Sequence, residues 1–525
     1  VNVIESEDLV ETLKTMKKSF YLMAALLVAM VGCNKEPQAE NGLNSEDKVY
    51  MEFKIQTLTT RSGTDDNADK DGDPSNSDAT PDFEVGKDYE NIISKVDVVL
   101  RNADSYVCAT VTTPTGSDNN QTWVAEFESS QLAVNTNYEV YIYANCGARQ
   151  DIDAVSTAAI GEMTADNNFW MTNAYQPETV KFASYSTDKE NPTDLGEHYV
   201  ERSMARFDYM PKGPYTLGDG VQVTLTEAAL INQSKAFYML RRVSQDGTNT
   251  NWTVGGAETR ANYVVDTDYA AKNDGYQEAD AANFDYHLTA AAGWDWQGIT
   301  ADDLTEVDNW NGTADGTHDP NVDKDNHGLN DYYIWQYAKE NTIPGDTANQ
   351  QNGLSTGVVF KGELSGTNVP ANGAEPIYVF DNILYGTWAQ VVAAAANNET
   401  LKFYTDKFGD SIDMETEHED LGKAGFTAYK PVDGKYYAYY YYWNRHNDNA
   451  DNTSMGRMEF AVVRNNVYKL CVDNIAKYGH PDPEDPDPVD PDPVDPTDPD
   501  ETGEYYFKVT VKVLPWVVRV NHIEF

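Results

Sequence analysis

The chain is 525 residues long and carries 86 acidic against 38 basic side chains, a formal net charge of −48. That length has room for roughly two or three domains. So acidic a surface repels phosphates and excludes nucleic-acid binding. It also opposes self-association at low salt, so any polymer must outweigh that repulsion.

The first readable segment is a targeting sequence. Residues 1–15 precede a candidate start at Met16 and are set aside from the fold. Met16, Lys17 and Lys18 form a basic start, and residues 20–31 form an apolar core too short to span a bilayer comfortably. It ends Met30-Val31-Gly32-Cys33, which resembles a bacterial lipobox with Met30 where leucine is usual. The expectation is a signal peptide over 16–33 with lipid on Cys33. The alternative is an ordinary signal peptide cut nearby.

Residues 34–47 are a polar tether. In residues 49–56, Val49, Met51, Phe53 and Ile55 alternate with Tyr50, Glu52, Lys54 and Gln56, the period-two pattern of a strand with one buried face. Thr59-Thr60-Arg61-Ser62-Gly63 follows, an arginine in a small polar stretch that a protease can reach, with Arg61–Ser62 as the expected cut. Residues 62–82 are polar and read as a flexible arm.

Strand patterns resume at residues 92–101, 106–111, 123–127 and 138–145, separated by polar turns, and predict a β-sandwich. Cys108 and Cys146 lie in the strand-like stretches 106–111 and 138–146; they pair if those strands are neighbours and are otherwise small buried apolar residues. With Cys471 they form no CxxC, so a zinc or redox centre has no support. Residues 200–209 open a second unit, with strands expected at 221–231 and 236–241. Residues 243–350, rich in Asn, Asp and Gly, read as a long insertion of loops. Its Trp294, Trp296, Trp310 and Trp335 are either adhesive contacts or local clusters that pin the loops. Strands return at 377–384, 435–443, 458–463 and 467–472, with a short alanine-rich helix at 388–397. The run 436–443, seven aromatics and one alanine, predicts a central strand between two layers or one with an exposed stacking face.

Residues 480–503 form an acidic proline-rich spacer that reaches roughly 70 Å at about 3.1 Å per residue. Beyond it, Tyr505, Phe507, Val509, Val511 and Val513 alternate with Tyr506, Lys508, Thr510 and Lys512. This segment matches residues 49–56 nearly position for position in polarity and size. The chain therefore carries two similar strands, of which the first is removable. Cutting the first away leaves an apolar groove that the second, from a neighbouring copy, can fill.

No catalytic constellation is evident. His446 is one loop histidine. Asp323, Asp325 and His327 loosely resemble a calcium loop without its final glutamate, and Asp69, Asp71 and Asp73 also offer oxygens, but chance matches are expected in so acidic a chain. No cofactor or metal is expected.

Residues 455–470 (Met-Gly-Arg-Met-Glu-Phe-Ala-Val-Val-Arg-Asn-Asn-Val-Tyr-Lys-Leu) resemble the C-terminal signature of major subunits of Bacteroidales short (Mfa-type) fimbriae, the type V pilins. Residues 514–525, with Trp516 and Phe525, resemble that family's terminal strand, and residues 169–174, 199–208 and 379–388 add similar stretches. The resemblance implies an all-β fold of two transthyretin-like β-sandwich domains with a C-terminal donor-strand extension. The expected boundaries are a propeptide over 34–61, domains over 62–198 and 199–479, the linker 480–503 and donor strands over 504–525. It further implies a non-enzymatic shaft subunit, exported as an outer-membrane lipoprotein and cut after Arg61 by an arginine-specific surface protease. Loss of residues 49–59 would then admit residues 505–513 and 516–525 of the next copy. Implied partners are further copies of the chain, tip and anchor accessory subunits, the protease, and the outer membrane through the precursor's lipid. The competing expectation is a monomeric surface lipoprotein, an adhesin or glycan-binding module that keeps its own strand in place.

Overall fold

The computed structural model describes residues 47–57, 86–103, 105–115, 122–244, 248–255, 263–269, 284–285, 293–306, 332–343, 351–414, 416–446, 456, 458–483, 500 and 507–515. Cys33 and its leader, the tether up to residue 46, the Arg61–Ser62 bond, the polar arm, both acidic loop motifs, Trp310, most of the proline tract, Tyr505, Trp516 and Phe525 lie outside the described residues.

The chain is all-β with a few short helices. Eight strands make the first sheet: β1 (Lys48–Thr57), β2 (Val96–Arg101), β3 (Tyr106–Val111), β4 (Thr122–Glu128), β5 (Asn137–Ala144), β6 (Met171–Asn173), β7 (Thr179–Lys181) and β8 (Thr193–Arg202). Their order is β3-β2-β5-β6-β8-β1-β4, with β7 also paired to β5. The ends of that order, β3 and β4, are consecutive in the chain. Thr115 and Thr122 exchange backbone hydrogen bonds of 2.7 and 2.8 Å between them, so the sheet curls around its own core. The alternation read at 49–56 and 123–127 sends Val49, Met51, Phe53, Trp123, Ala125 and Phe127 into that core, each 2% exposed or less.

Two residues after β8 the chain enters β9 (Ala205–Tyr209), in a different sheet. That sheet also holds β11 (Tyr333–Ala338), β17 (Asn466–Ile475) and β18 (Phe507–Pro515), in the order β11-β9-β17-β18, with the short strand Thr305–Glu306 outside β11. A third sheet runs β10 (Gln222–Ile231), β12 (Gly357–Ser365), β16 (Tyr436–Trp443). Phe207, Tyr209, Val223, Phe360, Tyr440, Tyr468 and Leu470 share the second hydrophobic cluster, which these two sheets enclose. At Gly357 a Cβ would lie 2.4 Å from the Trp443 ring, so glycine is what lets β12 and β16 pack this closely.

A third, smaller core fills the connection between β12 and β16. It joins β13 (Ile377–Phe380), β14 (Ile383–Tyr385) and β15 (Phe426–Tyr429) to three helices. The helix at 388–397 is present as Trp388–Ala395, capped by Thr387, whose hydroxyl accepts from the Gln390 N–H at 3.3 Å. The following helices, Glu399–Phe408 and His418–Lys423, were not expected. Asn398 caps the first of them, accepting from the Thr400 and Leu401 N–H groups at 3.0 and 3.1 Å.

Three sequence expectations need correcting. Residues 236–241 form only the short strand Phe237–Tyr238. They read as a strand because Ala236, Phe237, Met239 and Leu240 are all buried, yet their backbone is held largely by other groups. The Met239 N–H donates to the Ala154 carbonyl, while the Tyr238 and Met239 carbonyls accept from Arg464. Residues 458–463 form a turn, Met458 having φ of 55°, with one bridge from Val462 to Asn341. The insertion 243–350 is not loops alone, since β11 within it is an inner strand of the second sheet.

Candidate assembly site at the first and last strands

β1 lies between two partners. On one side it runs antiparallel to β4, with Val49 opposite Phe127, Met51 opposite Ala125 and Phe53 opposite Trp123. On the other it runs parallel to β8, with Ile55 opposite His198 and Thr57 opposite Val200, past an irregularity between Glu52 and Lys54. Its inner face, Val49, Met51, Phe53 and Ile55, is buried to 0, 0, 1 and 6% exposure. Burial of four such side chains stabilises the seated strand by roughly 1.5–3 kcal/mol each.

The outer face of β1 is polar and held at its ends. Lys48 pairs with Glu126 at 3.3 Å and with Glu128, and these hydrogen bonds raise its ammonium pKa. Gln56 hydrogen-bonds to Glu197. The Asp47 carbonyl accepts from Ser129 at 3.0 Å, and the Tyr50 N–H donates to Ser186 at 2.9 Å. The walls of the seat are Trp123, Ala125 and Phe127 from β4 and Leu195, His198 and Val200 from β8, all buried. The four residues singled out as a removable strand therefore share one buried face of an interior strand.

β18 lies antiparallel along β17 of its own chain. Phe507 stands opposite Ile475, Val509 opposite Val472, Val511 opposite Leu470 and Val513 opposite Tyr468, with an irregularity between Val472 and Asn474. Within the described residues the strand spans 507–515, two residues past the 513 at which the alternation was read to end, while Tyr505 and Tyr506 lie outside them. The two similar strands thus occupy separate sheets, β1 inside the first and β18 at the edge of the second.

Where the two cores meet, a buried charge network appears that sequence reading missed. Arg206 forks onto Asp208 (Nε–Oδ1 and Nη2–Oδ2, each 2.8 Å), and its Nη1 reaches Glu90 at 2.9 Å. Lys469 on β17 donates to Asp208 at 2.7 Å, and Tyr337 on β11 donates to Glu90 at 2.5 Å. The side chains of Glu90, Arg206, Asp208 and Lys469 are fully buried. Burial pushes the Asp208 carboxyl up, but Arg206 and Lys469 outweigh it and hold it below its ordinary value. The sequence signal was Arg206 and Asp208 in the strand run 205–209 and Lys469 in the otherwise uncharged run 467–472.

The remaining candidates fall into packing roles. His446 is buried, its Nδ1 2.9 Å from the Tyr468 hydroxyl. Trp294 and Trp296 meet at 5.6 Å and close over Tyr441 and Tyr439, at 6.3 and 5.9 Å, and Trp335 packs edge-on to Phe207. β16 has a layer on each face, Tyr436, Tyr440 and Tyr442 in the second cluster and Tyr439 and Trp443 in a smaller one with Trp294. Yet it ends its sheet rather than sitting centrally. Cys108 and Cys146 are not disulfide-linked: Cys108 is in β3, Cys146 follows β5, and β2 lies between those two strands. No helix among the described residues is long and apolar enough to cross a membrane.

Residues 434–522 match the family model described as major fimbrial subunit protein type IV, fimbrillin, C-terminal, a region that contains β16, β17 and β18. No curated protein matches the sequence significantly. Among solved structures, a fimbrilin from Porphyromonas gingivalis is similar at 14% identity, TM-score 0.35, over 91% of this chain and 99% of that one. A tip fimbrial protein from the same organism, truncated at its C-terminus, is similar at 9% identity, TM-score 0.33, over 82% and 95%.

Proposed function

We propose that this chain is a structural, non-enzymatic subunit of a cell-surface fimbria, a shaft pilin that polymerises by exchanging its first strand for a neighbour's last. The observation that carries the reading is the seat of β1. It is an interior strand whose whole apolar face is buried, and it joins the rest of the chain through the segment that contains Arg61. A cut after Arg61 frees that strand. Its loss leaves a groove between β4 and β8 lined by Trp123, Phe127, Leu195 and Val200. The match of residues 434–522 to a fimbrillin model supports the family reading.

Under this proposal β18 leaves β17 and enters the next subunit's groove, with the proline-rich linker as its tether. About nine residues of strand exchange one ladder for another, each backbone hydrogen bond worth a net ~0.5–1.5 kcal/mol. Intramolecular and intermolecular seats are therefore close in energy. Irreversible loss of β1 and high local subunit concentration decide the direction. The same reading assigns lipid to Cys33 of an outer-membrane precursor, two transthyretin-like sandwich domains around the two large cores, an arginine-specific surface protease, tip and anchor subunits as partners, and support of adhesion and colonisation.

A monomeric surface adhesin is the second reading. It is favoured by the seating of both β1 and β18 within one chain. N-terminal sequencing of protein sheared from cells tests the choice. A start at Ser62 in SDS-resistant ladders is expected. A start at Cys33 on monomers overturns the proposal.

A further inference from the structure

His198 stands in β8 directly opposite Ile55, on the parallel side of the β1 seat. It is 3% exposed, and its Nε2 has no hydrogen-bond partner among the described residues. Buried polar atoms are ordinarily satisfied, so an orphan imidazole nitrogen beside a paired strand calls for a reason. The physical reason is the neighbour: on this side of His198 β1 turns Val49, Met51, Phe53 and Ile55 to the same core, with no polar side chain among them. Lys54 and Gln56 are exposed, and Gln56 is engaged by Glu197.

The charged groups that act on the ring are Glu178, from the segment entering β7, and Asp194, from its own strand. Burial lowers the ring's proton affinity, and Glu178, the Leu195 backbone and Asp194 oppose this without cancelling it. A ring uncovered by departure of β1 meets water, where imidazole titrates near about 6.5.

We propose that His198 makes strand seating in this groove pH-dependent, the closed groove holding a neutral ring and the open groove letting it take a proton. The switch rests on the strand-exchange reading for its biological meaning, though not for its physics. The sign follows from linkage. A ring with lowered proton affinity in the closed state gives full seating strength above about pH 6.5. Seating weakens below that, up to about tenfold per pH unit, until the ring titrates in the closed state as well. Any aliphatic strand in the same seat, β1 or a neighbour's tail, meets the same dependence. Mild acid loosens the groove and neutral pH locks it.

Amide hydrogen exchange on the intact full chain tests this between about pH 5 and about pH 8, after correction for intrinsic rates. Protection of β1 amides is expected to fall by up to about tenfold per unit below about pH 6.5, while β2 and β5 hold constant. His198→Gln and His198→Leu are expected to flatten the β1 response. Wild-type β1 protection that is flat, or that merely tracks β2 and β5, overturns the switch, and so does an unchanged slope in either variant. Should neither variant fold, the wild-type contrast between β1 and β2 decides alone. The two proposals fail separately. Flat β1 protection in a chain that still polymerises after cleavage removes only the switch, and a clear slope in a chain that stays monomeric after cleavage removes only strand exchange.

Discussion

Phe53→Ala tests the strand-exchange proposal, in which β1 matters only to the uncut chain. Phe53 is 1% exposed and stands opposite Trp123 across the β1–β4 ladder. Truncating a fully buried phenylalanine costs about 3–5 kcal/mol, through lost transfer energy and the cavity left behind. With a urea dependence of about 2 kcal/mol per molar, the midpoint of the transition that reports on the first core moves down by about 1.5–2.5 M in the intact chain. Under the strand-exchange proposal the processed polymer contains no Phe53, because its groove holds another molecule's tail. Its dissociation midpoint should therefore match that of wild type, and assembly after cleavage should be at least as fast. The assay pairs urea unfolding of the uncut chain with urea dissociation of the SDS-resistant ladder. A ladder destabilised as much as the uncut chain would mean that β1 is still seated in the fibre and that no strand is exchanged.

Arg61→Ala should leave the groove occupied and the protein monomeric; normal fibres from that variant, scored by electron microscopy, rule out the processing step. Deleting residues 504–525 should abolish ladders while the first core keeps its urea midpoint, because among the described residues β18 pairs with β17 alone; persisting ladders remove the tail from the mechanism. Asp208→Asn leaves Arg206 and Lys469 without their shared carboxylate and should cost about 3–5 kcal/mol, read by urea titration. Because the Asp208 carboxyl is held below its ordinary value, its contribution is full above about pH 4 and declines as pH falls through the folded-state value. An acid-unfolding profile unaltered by Asp208→Asn contradicts that assignment.

The period-two pattern over residues 49–56 was enough to name the buried face of β1, because alternation on a half-buried strand is a local property of the chain. It also located β3, β4, β5, β16 and β17 within one to three residues at each end. The same reasoning failed where burial is not one-sided. Residues 236–241 are apolar throughout, so nothing in their order tells a ladder strand from a segment held by Arg464 and Ala154. β11 was hidden because four of its six residues are only half-buried and its pattern is irregular.

Readable from residue order are two strands of similar alternation, an arginine in a small polar stretch after the first and a proline-rich segment before the second. All depend on local alternation and composition. Tertiary structure alone decided that β1 sits between β4 and β8 rather than at an edge, that β18 pairs with β17, and that His198 lies beside Ile55. It also brought Glu90, Arg206, Asp208 and Lys469 together from three distant segments. The physical reason is common to all four. Strand neighbours, and the partners of buried charges, are fixed by long-range pairing that shields polar groups from a low-dielectric core, and no local pattern encodes which distant segment will supply them.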